Sequence, residues 1–250
     1  LIVNSRYLYM SIVEKNELNN IQFYVTTKYA CGYITNQSAQ SIVATPYKEI
    51  DAKVYNDLIK RGFRRSGQYI YKPHCSSCNA CIPIRINVND FKLSRSQKRV
   101  QKKNSHLSIK ILPLNFNEDH FELYVNYQKA RHLSNGKNND DIADYNDFLI
   151  KSNVATKIIE FREDEALKAV SIVDFLDDGL SAVYTFFDTK NRAASYGTFS
   201  IISLVQLCIE EKMTHLYLGY WINDCKKMAY KINFKDYELM INGVWQASSS

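Results

Sequence analysis

The sequence lacks the long apolar run of a membrane-spanning protein. No stretch approaches the ~20 apolar residues that a helix needs to cross a bilayer. Residues 1–20 scatter charges among apolar side chains, and so lack the core of a signal peptide. No internal repeat is visible. We therefore expect a globular, cytoplasmic protein without a membrane partner.

Cysteine is also scarce. Six cysteines in 250 residues are too few for a disulfide scaffold, and the missing secretory signal favours a reducing compartment. In such a compartment, clustered thiols indicate metal binding or catalysis. Half of the cysteines are clustered, in "KPHCSSCNACIPIR" at residues 72–85, with the spacing C-x2-C-x2-C.

This cluster predicts a metal site. Thiolates are soft ligands that suit zinc or an iron–sulfur cluster. Cys75, Cys78 and Cys81 leave a tetrahedral site one ligand short, and Cys31 in "YACGYI" is the natural fourth, with His74 a weaker candidate. The spacing also resembles the start of a ferredoxin run, so it does not separate the two metals. The alternative is that these cysteines are simply small buried residues.

Positive charge is concentrated although the net charge is only +6. Residues 94–106 predict a helix, and from Arg85 to His106 there are seven Lys/Arg and one acid, Asp90. Because like charges at helical spacing repel, such a face indicates a polyanionic partner. It fits contact with the phosphates of a folded RNA; a solvated charged face is the alternative. The predicted RNA-binding residues are Arg95, Lys98, Arg99, Lys102 and Lys103, with Lys60, Arg61, Arg64 and Arg65 close by in sequence.

The N-terminal part predicts a helix over "YKEIDAKVYNDLIKRG". Thr45 is the expected N-cap, Pro46 the first helical residue and Gly62 the terminator. Pro113 and the polar residues 115–117 mark a loop. We take this loop as the boundary between an N-terminal region, 1–112, and a C-terminal domain, 113–250. "EDHFELYVNYQKARH" then predicts an amphipathic helix.

The C-terminal part predicts a defined order of elements. "KIIEFR", "LKAVSIVD" and "LSAVYTFF" are three successive strands separated by turns at Asp164 and Asp178-Gly179. A helix over 197–213, the strand "HLYLGY", a helix over 224–231 and a strand from Tyr237 follow. The order favours an α+β fold with an N-acetyltransferase-like (GNAT-like) acyltransferase domain behind a small cysteine-containing N-terminal domain. Other α+β folds share this order.

Longer stretches resemble one family. From residue 29 to 235, in order, the chain is similar to the aminoacyl-tRNA–protein transferases of the N-degron system, in the short bacterial form typified by aspartate/glutamate leucyltransferase. The arginyltransferases are relatives of that form. The matching stretches are "CGY", "GFRRSGQYIYKPHCSSCNACIPIR", "LSRSQKRVQKKN", "LYVNYQKARH", "GLSAVYTFFD" and "LYLGYWINDCKKMAYK". The chain departs from the usual family pattern at residues 34–37 and 133–139.

The resemblance implies a reaction. Leucine would move from Leu-tRNA to the N-terminal amine of a protein that begins with Asp or Glu, which marks that protein for degradation. The transfer itself needs no cofactor because the ester is already activated; a zinc ion or iron–sulfur cluster would be structural or regulatory. Open alternatives are an arginyl donor, a coenzyme-A-dependent N-acetyltransferase and a zinc-stabilised RNA-binding module.

This chemistry assigns candidate residues. The enzyme must hold amine and ester together, accept a proton and stabilise an oxyanion. Arg64 and Arg65 are the candidates for binding the acceptor's carboxylate. Because side chains alternate along an extended segment, only one of them is expected to face the site. Asp174, at the end of a central strand, would orient or deprotonate the amine unless it only caps a turn. Tyr184 would donate to the oxyanion.

Two further candidates flank the expected site. Ser195 begins "SYGTF", where a helix N-terminus favours negative charge. Acetyl-CoA enzymes of this fold bind pyrophosphate with Q/R-x-x-G-x-G/A, and this chain has Ser195 where the first glycine of that pattern falls. Trp221, next to Tyr220, would wall an aminoacyl pocket or stack on the terminal adenine; packing is the alternative.

Overall fold

The computed structural model describes residues 12–15, 21–132 and 141–248, the first of these segments by its backbone alone. The strands of the described residues are β1 (Ile12–Lys15), β2 (Gln22–Val25), β3 (Tyr29–Ala30), β4 (Ser38–Ala39), β5 (Ser41–Thr45), β6 (Arg64–Ser66), β7 (Tyr69–Pro73), β8 (Ile82–Asn87), β9 (Ser108–Pro113), β10 (Thr156–Glu163), β11 (Ala166–Phe175), β12 (Gly179–Phe187), β13 (His215–Trp221), β14 (Tyr237–Ile241) and β15 (Val244–Ala247). The α-helices are α1 (Ala52–Lys60), α2 (Arg95–Lys103), α3 (Glu118–His132), α4 (Ile142–Tyr145) and α5 (Tyr196–Glu210).

The strands form a large mixed sheet, a five-stranded sheet and a small ribbon. The large sheet has the order β15-β14-β8-β13-β12-β11-β10-β9, and the five-stranded sheet has the order β1-β2-β5-β7-β6. The expected α+β character is thus confirmed. Strand β8 precedes residue 113 and β9 ends at it, yet both pair within the large sheet. The boundary expected at residue 113 therefore does not divide the sheets between two units.

Both faces of the large sheet are covered because its central strands are apolar on both sides. In β10, the neighbours Ile158 and Ile159 point to opposite faces, the first toward α3 and the second toward α5. The stretch 192–210 is long and apolar enough to cross a membrane by length and composition, but half of its span is buried. A core helix passes the same test, and α5 packs on the sheet as one.

The first helix begins later than expected. Thr45 is wrong as its N-cap because this residue ends β5, and residues Tyr47–Glu49 form a separate 3-10 turn. The cap is Asp51, whose side chain accepts a hydrogen bond from the Val54 N–H at 2.9 Å. The predicted terminator is confirmed, since Gly62 adopts φ +85° directly after the helix.

The other helices divide into confirmed and wrong predictions. Helix α3 has the expected bounds, and α2 begins behind a capping box in which Ser94 and Gln97 bond each other's backbone. The helix expected over 224–231 is wrong: the N–H groups of Cys225 and Met228 bond carbonyls three residues back, the spacing of turns. A short 3-10 helix, Ala229–Asn233, follows these turns.

A buried ion pair joins the two larger sheets. Arg65 on β6 and Asp174 on β11 are 1% and 0% exposed, and the Arg65 Nη2 lies 2.7 Å from the Asp174 Oδ1. The Nε of Arg65 bonds the same carboxylate. Asp174 also accepts hydrogen bonds from Tyr55 and Thr156. Hydrogen bonds engage every lone pair of the carboxylate, and they offset the desolvation cost of burying the ion pair.

We predict that Asp174→Asn destabilises the protein by about 3–5 kcal/mol, because it leaves the Arg65 charge buried without its counter-charge. Urea unfolding measures this. The matched control is Asp177→Asn, which breaks the exposed pair with Lys60 and should cost less than about 1 kcal/mol. Equal unfolding free energies for the two variants would contradict the assignment of Asp174 as a structural anchor.

Candidate active site

The main structural irregularity lies between the two parallel strands of the large sheet. Strands β12 and β13 pair only from Gly179 to Ser181, opposite His215 to Tyr217. Beyond this point both strands shift register against their outer neighbours, β11 and β8. The two strands therefore part, and the gap between them, which we call the cleft, exposes backbone groups that a regular sheet would bond.

Arg64 fills the closed end of the cleft. Its Nη2 donates to the carbonyls of Ala182 at 2.8 Å and Val183 at 3.4 Å, which lie just past the last paired residues of β12. Its Nη1 is buried and has no hydrogen-bond partner among the described residues. Such an orphaned donor on a guanidinium is costly unless a ligand meets it. Arg64 is thus placed to bind an anion.

Gly219 on β13 makes room for this arginine. Its φ is +79°, a conformation that side chains disfavour. A Cβ on this residue would lie 2.9 Å from the Arg64 Cζ. The glycine is therefore required both by its backbone conformation and by the guanidinium that crosses it.

Lys231 is a second cation near the cleft. It is 6% exposed, and its Nζ donates to the Tyr220 carbonyl of β13 at 2.6 Å. Burial, and after it the charge of Arg64, lower the pKa of Lys231 to about 7. Sequence reasoning missed this residue. The signal in the sequence is a lone lysine between Tyr230 and the apolar Ile232, at the end of the predicted helix over 224–231.

Aromatic residues lie on both strands that bound the cleft, Tyr184 on β12 and Trp221 on β13. The Tyr184 hydroxyl accepts a hydrogen bond from the Gln128 Nε2 at 2.9 Å, which leaves its own proton for another acceptor. Burial raises the pKa of Tyr184, so it stays a neutral donor. Tyr33 lies near both Tyr184 and Arg64: after burial it contributes to the rise in the pKa of Tyr184, and Arg64 opposes the burial that raises the pKa of Tyr33. The indole Nε1 of Trp221 is buried without a partner among the described residues.

The structure separates the two candidate arginines as strand alternation predicts. Arg64 turns into the cleft, whereas Arg65 turns into the core and pairs with Asp174. The expectations for Arg65 and Asp174 are therefore corrected. Neither side chain is accessible to a substrate, and the Asp174 carboxylate, held by three protein donors, is not placed to take a proton from an amine.

The basic helix lies beside the turn that precedes α5. All five predicted cations of α2 are exposed. The Lys103 Nζ donates to the Ala193 carbonyl at 3.0 Å, and the Asn104 side chain donates to the Ala194 carbonyl at 2.9 Å. Ser195, the next residue, adopts φ +55° and makes no side-chain cap for α5. The cationic face and the Ser195 turn are thus fixed side by side.

The clustered cysteines share one cavity of about 240 Å³. Cys31, Cys75, Cys78 and Cys81 all line it, together with aromatic residues that include Tyr33 and Tyr220. Cys208 is separate and fully buried in the core. Tyr220 is a residue of β13, so the cavity reaches one of the two strands that bound the cleft.

The cavity does not show a formed metal site. Within residues 21–132 and 141–248, no group of three or more His, Cys, Asp or Glu is arranged to hold an ion. Burial, followed by the neighbouring thiols, raises the pKa of Cys81 to about 12, so this thiol is protonated in the arrangement described. The metal site stays a prediction that rests on the convergence of the four thiols. Residues 133–139, where the chain departs from the family pattern, lie outside the described residues.

Comparisons with known proteins match almost the whole chain. The model of the N terminus of arginine-tRNA-protein transferase matches residues 29–99, and that of the C terminus matches residues 119–241. A protein from Methylobacillus flagellatus named aspartate/glutamate leucyltransferase is 48% identical over 95% of this chain and 96% of its own length. A Nitrosospira multiformis protein of the same name is 45% identical over 95% of this chain and 94% of its own length. Among solved structures, FemX has 8% identity and a TM-score of 0.45 over 84% of this chain and 83% of its own.

We predict that Gly219→Ala destabilises the protein by about 2–4 kcal/mol, the sum of a strained positive φ and a clash with Arg64. Gly243→Ala is the matched control. Gly243 has the same φ of +79° but nothing within 4 Å of an added Cβ, so only the strain of about 1–2 kcal/mol applies. In an Arg64→Ala background the two glycine variants should cost the same in urea unfolding. A persistent difference would show that Arg64 is not the obstacle.

Proposed function

The chain belongs to the arginine-tRNA-protein transferase family, and on that premise we propose that it transfers leucine from Leu-tRNA to the N-terminal amine of proteins that begin with Asp or Glu. The names of the relatives support leucine as the donor and acidic first residues as acceptors. The enzyme is an aminoacyltransferase that acts in the cytoplasm, where charged tRNA is present.

The observation that carries this proposal is the orphaned Nη1 of Arg64 in the cleft. An acidic first residue brings a carboxylate, and a guanidinium binds a carboxylate in a charge-assisted, directional way. Because Nη2 is tethered to β12, Nη1 is held in a fixed position. An uncharged first residue would leave this donor buried and unpaired, which accounts for selection of acidic acceptors.

The remaining cleft residues fit the chemistry of ester aminolysis. Tyr184 keeps a proton for the oxyanion that forms when the amine attacks the ester carbonyl. Trp221, whose indole Nε1 is buried without a partner among the described residues, supplies an aromatic surface for the leucyl side chain or the terminal adenine. Tyr220, the preceding residue of β13, points to the opposite face and lines the cysteine cavity instead. The free acceptor amine titrates at roughly 7.7–8.0, so a large fraction is already neutral near pH 8 and little covalent assistance is needed.

The exposed face of α2 supports tRNA binding. Its five cations form no ion pairs within the described residues, and their charges remain available for phosphates. The bonds from Lys103 and Asn104 to the Ser195 turn hold this face in place. A backbone bound along α2 would meet Ser195 and the N-terminus of α5 next.

The fold and the cysteine cavity support two narrower proposals. The antiparallel run β9 to β12, the partly parallel β13 and the helix α5 between them are the elements expected of a GNAT-like acyltransferase domain. The four thiols that line one cavity support a structural or regulatory zinc ion or iron–sulfur cluster. The transfer chemistry itself uses only the protein, the ester and the amine.

Labelled aminoacyl-tRNA tests the function. We expect label from Leu-tRNA to reach a peptide that begins with Asp, while Arg-tRNA gives little product. The matched peptide begins with Asn, which has the same shape without the charge, and should accept at least about tenfold less. Equal use of both donors would contradict the leucyl assignment, and transfer from acetyl-CoA instead would support an N-acetyltransferase.

Charge reversal tests the tRNA surface. We predict that Lys98→Glu with Arg99→Glu weakens tRNA binding at least tenfold and lowers the salt dependence of binding, because fewer counterions are released. Lys28→Glu with Lys48→Glu, at exposed positions far from α2 in sequence, controls for net charge. Thermal unfolding should be unchanged in all variants. Equal loss of tRNA binding in both pairs would mean that the contact is not localised on α2.

A further inference from the structure

Arg64 and Lys231 are held at neighbouring residues of β13: the Arg64 guanidinium lies against Gly219, and the Lys231 Nζ bonds the carbonyl of Tyr220. Within residues 21–132 and 141–248, neither Arg64 nor Lys231 forms an ion pair. Asp174, whose charge acts on Tyr55 together with that of Arg64, is committed to Arg65. The electrostatic field of Arg64 acts on Lys231. Burying like charges together opposes folding unless a ligand of opposite charge compensates them.

Lys231 has hydrogen-bond donors that its partner does not use. An ammonium group has three hydrogens, and the Tyr220 carbonyl is the partner found for its Nζ among the described residues. The side chain is more than nine-tenths buried. This bond fixes the Nζ against β13, on the side of the cleft opposite the β12 carbonyls that hold Arg64.

From this arrangement we infer that Lys231 is a second acceptor-binding residue, which holds the side-chain carboxylate of the N-terminal Asp or Glu together with the Nη1 of Arg64. This inference rests on the proposed function. A leucyl ester carries no side-chain charge, so the acceptor is the substrate whose anion needs the pair. The phosphates of the tRNA have their own cations on α2.

The pair accounts for selection by charge. A carboxylate has two oxygens, and cations anchored on β12 and β13 can each meet one of them. A neutral first residue would leave two buried cations facing each other, so its rejection would be stronger than one arginine provides. Lys231 is thus a specificity-determining residue and not a group that acts on the reacting atoms.

The pH dependence of acceptor binding provides a readout that a purely structural lysine would not change. The charged and titratable groups that act on Lys231 are Arg64 on β6, Cys81 before β8 and Cys225 after β13. Burial, and after it the charge of Arg64, lower the pKa of Lys231 to about 7 in the free protein, and the two thiols oppose this shift. Above that pH the lysine must take up a proton when the carboxylate binds, and the KM for the acceptor rises. Arginine stays charged and removes this rise.

The experiment is steady-state transfer with saturating Leu-tRNA and a varied peptide that begins with Asp. We expect Lys231→Met to raise the KM for the peptide about 10- to 100-fold, with kcat changed less than about threefold. Lys226→Met, an exposed lysine of the same loop, is the control for net charge and should leave the KM unchanged. The KM for Leu-tRNA should be unchanged in both variants.

Lys231→Arg makes the test decisive even if the methionine variant fails to fold. Between about pH 6.5 and pH 8.5 the wild-type KM for the peptide should rise roughly 25-fold relative to that of the arginine variant. Parallel pH profiles would overturn the inference. So would a Lys231→Met variant that loses kcat at unchanged KM, or one that loses affinity for Leu-tRNA instead of the peptide.

Failure of this inference is distinguishable from failure of the proposed function. If the wild-type protein transfers leucine to the Asp peptide and the Lys231 variants keep its KM and pH profile, only the inference about Lys231 fails. If the wild-type protein transfers nothing to Asp peptides from Leu-tRNA, the proposed function fails, and the inference fails with it.

Discussion

The ion pair between Arg65 and Asp174 is the interaction on which the site depends. It ties β6 of the five-stranded sheet to β11 of the large sheet with nearly complete burial. Since consecutive residues of a strand point in opposite directions, fixing Arg65 in the core fixes where Arg64 goes. The guanidinium of Arg64 then enters the cleft, at the place where β12 and β13 stop pairing. The buried ion pair, which has a structural role, thereby positions the charge of Arg64, which has a functional one.

The cleft follows from the local irregularity of two strands. Regular pairing of β12 with β13 would use a carbonyl of the Ala182–Val183 segment and would leave no space for a side chain. The register shifts in both strands, together with the missing side chain at Gly219, open this space. An arginine from a different sheet then satisfies the exposed carbonyls. The site is therefore shared by segments far apart in sequence, and both halves of the chain are needed to form it.

Much of this arrangement was predictable from the sequence, and the exceptions have physical causes. The three central strands, α3 and the basic helix follow from periodicity and composition. The alternation of Arg64 and Arg65 was predicted, but not which of them faces the core. Asp174 was misassigned because a strand end gives no sign of the partner that a distant segment supplies. The predictions of Thr45 as an N-cap and of a helix over 224–231 were wrong because tertiary hydrogen bonds, such as that of Lys231 to Tyr220, override local helix signals.

The position of β8 has a consequence for how the chain is made. This strand lies between β13 and β14, which follow it by more than a hundred residues. Its apolar residues Ile84 and Ile86 are both buried in the folded protein. During synthesis on the ribosome they cannot be buried between β13 and β14 until most of the chain has emerged. Such delayed pairing leaves apolar surface exposed to neighbouring nascent chains, with which it can aggregate. Chaperone demand during translation is therefore expected to depend on the last third of the polypeptide.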